Sequence, residues 1–193
     1  GTSFDDFISM AADEEMLDSL MIHVLKAGGI SIRNSSPHLK DLHITDNVAR
    51  NVGGGIGLIN SNAVIESCRI SNNTILDGDA LGGGGIAING GHTFINDVTI
   101  ENNHVGSNMY SLNGGGGILC GFSIGDEILQ LEMDNVSIIG NTANIGAGIG
   151  ALSGTININR LLLSGNGGAY GSAISLGEPL GLGIGDISMN IIS

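Results

Sequence analysis

Gly53-Gly54-Gly55-Ile56-Gly57-Leu58, followed by Cys68-Arg69-Ile70-Ser71-Asn72-Asn73, is the stretch that decides the fold, because the chain repeats it. A glycine run leads into an apolar strand at Gly29-Ile30-Ser31-Ile32, Gly85-Ile86-Ala87-Ile88, Gly117-Ile118-Leu119-Cys120, Gly148-Ile149-Gly150-Ala151 and, with alanine leading, Ala173-Ile174-Ser175-Leu176. The second strand ends on asparagine at Asn47, Asn73, Asn103, Asn141 and Asn166. The leading isoleucines at 30, 56, 86, 118, 149 and 174 recur every 25 to 32 residues. A short-strand repeat of this length is the signature of a solenoid.

Inside each repeat the apolar residues alternate with small or polar ones, which is the period of a strand. Aligned copies give columns that face one interior: Ile30, Ile56, Ile86, Ile118, Ile149, Ile174, and Ile32, Leu58, Ile88, Cys120, Ala151, Leu176. A middle strand supplies Leu39, Ile65, Ile95, Met133, Ile158 and Ile184. A last strand supplies Leu42, Cys68, Val98, Val136, Leu161, Ile187 and then Ile44, Ile70, Ile100, Ile138, Leu163, Met189. Alternate side chains of a strand share a face, so the expected architecture is all-β, a parallel β-helix of about six three-strand coils. The asparagines are read as a structural ladder: each turns a corner in the left-handed backbone that Asn tolerates, and its amide bonds to the coils above and below. The glycine runs are read as corners and close approaches rather than a phosphate cradle, which needs a following helix and a lysine.

Gly28-Gly29-Ile30, through Asn34-Ser35-Ser36-Pro37 to Leu42-His43-Ile44-Thr45-Asp46-Asn47 and on to Gly53-Gly54-Gly55-Ile56, resembles the right-handed parallel β-helix repeat proteins, the pectin-lyase-like superfamily in the broad sense. The glycine-glycine-x-isoleucine phrase alternating with a strand that ends in asparagine is also similar to the repeats of polymorphic outer-membrane proteins and bacterial surface adhesins. The resemblance covers residues 28–193. It implies a right-handed coil and a secreted or cell-surface bacterial protein, often one part of a longer chain. It does not imply an activity, because the superfamily hosts lyases, hydrolases, epimerases and plain spacers.

Composition narrows the partners. Formal net charge is −13, with 6 Lys plus Arg against 19 Asp plus Glu, so the basic clusters that bind nucleic acid or anionic membrane surfaces are missing. No apolar run approaches the roughly 20 residues of a spanning helix. Hydrophobic residues make up 41% and aromatics 3%, so the core must be aliphatic. Cys68 and Cys120 fall in inward columns on different strands and read as buried free thiols. No cofactor is expected. Isolated Gly-Asp pairs do not form the nonapeptide calcium repeat, which leaves only incidental Ca2+ binding by the acidic surface. The five histidines show no metal-ligand spacing with one another or with cysteine.

Residues 1–27 fall outside the repeat. They read as an N-terminal cap, helical from the spacing of Phe4, Phe7, Ile8 and Ala11, or as an incomplete coil in which Ser19-Leu20-Met21-Ile22 matches Asp41-Leu42-His43-Ile44. At the other end Ile192 takes the ladder position, and the uncapped coil implies a further domain, a truncation or end-to-end association. Function is sought where the phrase breaks: the connections 74–81 and 104–113 and the insertion 122–129. The two connections are expected to wall a shallow groove beside the small outer residues Ser31, Gly57, Ala87, Leu119, Gly150 and Ser175. Asp77, Asp79, His104 and Tyr110 are its candidate binding groups.

Paired carboxylates suited to polysaccharide cleavage are sparse. Asp41 and Asp97 lie two coils, about 10 Å, apart. Arg160 is expected to pair with Asp186 at the surface. The functional expectation is therefore a structural or adhesive segment that offers a glycan or protein a binding surface without catalysis of its own. The alternatives are a fragment of a polysaccharide lyase or glycoside hydrolase, and a passive spacer or filament subunit.

Overall fold

The structure, a computed structural model, describes residues 27–76, 81–106, 114–122, 128–177 and 187–192. Every regular element among them is a strand. In chain order these are β1 (Ile30–Arg33), β2 (His38–Lys40), β3 (His43–Thr45), β4 (Val48–Ala49), β5 (Ile56–Ile59), β6 (Val64–Glu66), β7 (Arg69–Ser71), β8 (Thr74–Ile75) and β9 (Ile86–Asn89). They continue with β10 (Gly91–Glu101), β11 (His104–Val105), β12 (Ile118–Cys120), β13 (Leu129–Ile139), β14 (Ile149–Ala151), β15 (Gly154–Ser164), β16 (Ile174–Leu176) and β17 (Ile187–Ile192). The expected cap over residues 1–27, apart from Ala27, lies outside the described residues.

All pairing is parallel, and each strand pairs with its counterpart one sequence repeat away. One sheet runs β1-β5-β9-β12-β14-β16, with Ile30, Ile56, Ile86, Ile118, Ile149 and Ile174 in successive register. A second runs β2-β6-β10-β13-β15-β17, with β3 and β7 joining it at β10. A third, not anticipated from the sequence, joins the two-residue strands β4, β8 and β11 that follow the asparagines. In β10, β13 and β15 the expected middle and last strands run on as single elements of 11 residues. The bend survives inside them, because Asp97, Asn135 and Arg160 hold φ of 52°, 52° and 55°, matching Asp41 at 54° and Ser67 at 52° in the two preceding repeats.

The aligned isoleucines form the core. Ile56, Ile86, Ile118 and Ile149 from the first sheet and Ile65, Ile95, Ile70, Ile100 and Ile138 from the second are fully buried in one continuous aliphatic cluster. Cys68 and Cys120 are buried free thiols, and burial pushes the Cys120 thiol up to about 12. One residue in this core is out of place chemically. Thr93 is fully buried, registered against Leu131, and its hydroxyl has no hydrogen-bond partner. Valine has nearly the same shape without the desolvated hydroxyl, so Thr93→Val is expected to raise unfolding free energy by about 1 kcal/mol in urea titrations. A loss of stability would show that the hydroxyl is satisfied in solution.

Two expectations need correction. The final strand is displaced from the sequence alignment: Ile187 pairs with Gly154, Met189 with Ile156 and Ile191 with Ile158, whereas the alignment set Ile187 and Met189 on Leu161 and Leu163. Ile192 therefore lies opposite Asn159 rather than at the ladder position. Inward parity is preserved, so the apolar pattern alone does not distinguish the two placements. The second correction concerns the corners. The ladder asparagines do not carry the left-handed backbone; the residues just before them do, with φ of 59° at Asp46, 55° at Asn72, 53° at Asn102, 64° at Gly140 and 63° at Gly165.

Candidate functional site

With the corner handled by its neighbour, each ladder asparagine is free to turn its amide inward along the stack. The Asn73 Nδ2 donates to Asn103 Oδ1 at 2.9 Å, and Asn103 Nδ2 donates to Asn141 Oδ1 at 2.9 Å. Asn47 begins the series on Asn73 at 2.9 Å, and Asn141 continues it to Asn166 at 3.1 Å. Each Oδ1 also accepts the backbone N–H of the preceding asparagine, and each Nδ2 from Asn73 onward also donates to a strand carbonyl: Ile44, Ile70, Ile100 and Ile138 in turn. Asn73, Asn103 and Asn141 are fully buried. These side chains have no capacity left for a ligand.

Over the four middle repeats the outer face of the first sheet is covered by the chain itself. Of the floor expected for the groove, Gly57, Ala87, Leu119 and Gly150 are buried, while Ser31 is exposed and Ser175 half-buried at the two ends of the sheet. Above them the glycine runs form a parallel stack of bridges, Val52 to Gly82 to Gly114 to Ile145 to Tyr170. Contact is backbone on backbone: a Cβ added at Gly83 would meet the Ala87 Cβ at 2.8 Å, and one at Gly146 the Gly150 Cα at 2.8 Å. Val52, Ile59, Ala87, Leu119 and Phe122 make a second small apolar cluster there. The outer residues are small because another layer of chain lies on them, not because a ligand does. Of the four groups assigned to the wall, Asp77, Asp79 and Tyr110 lie outside the described residues. His104 is exposed on β11, its Nδ1 2.7 Å from Thr142 Oγ1.

The second sheet keeps an open outer face. Its charged side chains pair between neighbouring strands: Lys40 Nζ and His38 Nε2 each lie 2.9 Å from Glu66, Arg69 meets Glu101, and His92 Nε2 lies 3.0 Å from Glu132. Arg160 pairs with Asp134 at 2.7 Å in place of the expected Asp186, which lies outside the described residues. Hydrogen bonds from Lys40 and His38 hold the Glu66 carboxyl below its ordinary range, and the Glu66 contact raises Lys40. This exposed pair favours the fold above the ordinary carboxylate range, and the benefit fades as pH falls through the lowered value of Glu66. Among the described residues no group of three or more His, Cys, Asp or Glu side chains is placed to hold a metal ion.

One recess opens at the corner between the first and second sheets, with a volume of about 320 Å³, lined by Asn34, Ser35, Ser36, Asn60, Asn62 and Gly91. It exists because the repeats differ at this corner. All three repeats pass this corner in four residues, 34–37, 60–63 and 90–93, but the third has Gly90 and Gly91 where the second has Asn60 and Ser61, and Gly91 packs on the Ser61 backbone. Asn34 and Asn60 stand over one another in the left-handed conformation, with φ of 49° and 47°. Asn62 spans the step, its Oδ1 accepting the His92 N–H at 2.8 Å. Sequence reading used Asn34-Ser35-Ser36-Pro37 only as part of the repeat. The signal was present in the clustering of amides and hydroxyls at one corner of two successive repeats.

Comparison of the chain with protein-family models, curated proteins and solved structures gives no match.

Proposed function

We propose that the chain is part of a right-handed parallel β-helix of the pectin-lyase-like kind, and that it serves as a rigid extracellular scaffold offering its outer surface to a glycan or a protein, with no catalysis of its own. The observation that carries this reading is the unbroken parallel registration. Strand after strand stacks on its counterpart, and the buried asparagine column is taken up by its own hydrogen bonds. Such a body holds exposed side chains at fixed spacing along one axis, which suits recognition of an extended ligand. The placement at a bacterial cell surface comes from the sequence resemblance. The acidic charge of −13 argues against nucleic acid and anionic membranes as partners.

The test is a pair of measurements on the same preparation. Immobilised protein is screened against neutral and acidic glycans and extracellular proteins, and acidic polysaccharides are assayed for unsaturated or reducing ends with and without calcium. Binding without turnover is the expected result. Turnover would replace this reading with that of a lyase or hydrolase fragment, and absence of binding to any ligand would leave a passive spacer.

A further inference from the structure

We propose that the corner recess and the adjoining strip of the second sheet form a binding site for a neutral oligosaccharide; this rests on the binding-scaffold reading and gives it a place and a ligand class. The first support is unused hydrogen-bonding capacity. No hydrogen bond is made by the side chains of Asn34, Ser35, Ser36 or Asn60 among the described residues, and Asn62 engages only its Oδ1, leaving its N–H donors. Four amide or hydroxyl side chains with free donors and acceptors thus line one open recess of about 320 Å³, with Asn34, Ser35 and Ser36 exposed and Asn60 half-buried. Elsewhere the asparagines of the ladder are saturated by one another.

The second support is what adjoins the recess. Beyond Gly91, β10 carries His92 and Phe94 outward, since Thr93 and Ile95 are buried inside. Phe94 is half-buried and registers with Val64 on one side and Glu132 on the other, and Val64 registers with His38. An aromatic ring thus sits in the open sheet face, three residues or about 10 Å along the strand from the recess. Aromatic faces carry partial negative charge and attract the C–H face of a sugar ring, while amides and hydroxyls exchange hydrogen bonds with its hydroxyl groups. The separation requires a ligand longer than one ring.

Charge selects among saccharides. No side chain lining the recess is ionisable; the flanking carboxylates Glu66 and Glu132 hold Lys40, His38 and His92, and Arg33, next to Asn34, is the neighbouring cation they do not hold. On a protein of net charge −13 a single arginine beside the recess does not offset the repulsion of a polyanion, so a neutral chain is favoured over a uronate.

The experiment is backbone-amide NMR of the full chain titrated with maltotetraose, cellotetraose and tetra-N-acetylchitotetraose, with tetragalacturonate as the anionic comparator. A neutral tetrasaccharide is expected to shift the amides of residues 34–36, 60–62 and 91–94 saturably. Asn34→Gly and Asn60→Gly keep the left-handed backbone while deleting the amides, and each is expected to weaken binding by about tenfold. Phe94→Ala is expected to do the same, and the amide spectrum of each variant reports whether the fold is retained. A neutral saccharide that shifts other residues, or binds both glycine variants as tightly as the parent, overturns the site and leaves the scaffold reading standing. Tetragalacturonate binding at the recess in preference to the neutral chains overturns the ligand class. If no saccharide binds but a protein does in the wider screen, this inference alone falls; if nothing binds, both fall.

Discussion

Replacing Asn103 with alanine is expected to lower unfolding free energy by about 3 to 5 kcal/mol, because three buried groups lose their partners at once and each unsatisfied group costs about 1 to 3 kcal/mol. The Asn73 backbone N–H and side-chain amide both donate to Asn103 Oδ1, and the Ile70 carbonyl accepts from Asn103 Nδ2. Asn141 Oδ1 keeps the Asn103 backbone N–H, so it is not wholly abandoned. Water has no route to the others, since Asn73 and Asn103 are fully buried. In a stacked array the interface between neighbours carries much of the stability, so a break in the middle is expected to broaden the urea transition as well as shift it. Asn47→Ala is the internal control. Asn47 is only half-buried and makes no such bridge between two other asparagines, so it should cost about 1 kcal/mol. Equal losses at the two positions would mean that the ladder acts through asparagine's local preferences and not through buried hydrogen bonding.

Gly82→Ala is expected to be the most damaging of the glycine substitutions, at about 3 kcal/mol or more from backbone strain and overpacking together. Gly82 holds φ at 130°, and a Cβ there would fall inside the carbonyl oxygen of Gly114, its partner in the bridge stack. The obstacle is backbone on both sides, so neither partner can rotate away. Gly165 provides the contrast. Its φ of 63° belongs to the column held by asparagine in two other repeats, at Asn72 and Asn102, and a Cβ there would approach nothing closer than 3.9 Å. Gly165→Asn should therefore change stability by less than about 1 kcal/mol. Thermal denaturation of both variants decides the matter. A tolerated Gly82→Ala would show that the bridge stack is not held in solution.

The contrast between these glycines explains how far the sequence could be read. Ile56, Ile86, Ile118 and Ile149 announce their own register because each follows a glycine run at constant offset, and the structure stacks them accordingly. The left-handed column was harder to place. Asn72-Asn73 and Asn102-Asn103 offer two candidates for each corner, and the deciding evidence lies in Gly140-Asn141 and Gly165-Asn166, where the residue before the ladder is glycine. The bend through Asp41, Ser67, Asp97, Asn135 and Arg160 leaves little trace in residue type, since serine and arginine have no preference for that conformation. The small outer residues of the first sheet were ambiguous for a related reason. Small residues at 57, 87 and 150 signal close approach, but they do not say whether a ligand or the chain's own backbone approaches.

Alternation and recurrence by themselves determined that this chain is built of short parallel strands around aliphatic columns, and which asparagines line up. Both are properties of local spacing, and burial rewards the same residue types at the same offsets in every repeat. Three further matters were left to the tertiary structure. β17 lies on Gly154–Asn159 because the bend at Arg160 puts Ile156 and Ile158 on one side of it and Leu161 and Leu163 on the other all facing inward, so alternation fits either placement and only contact with β15 selects one. The glycine runs cover the first sheet because backbone packed on backbone needs the same residue as a turn does. The recess at Asn34, Asn60 and Asn62 lies where the amide and hydroxyl side chains of two repeats adjoin a third that has Gly90 and Gly91 at the matching positions, a difference between neighbours that no single repeat contains.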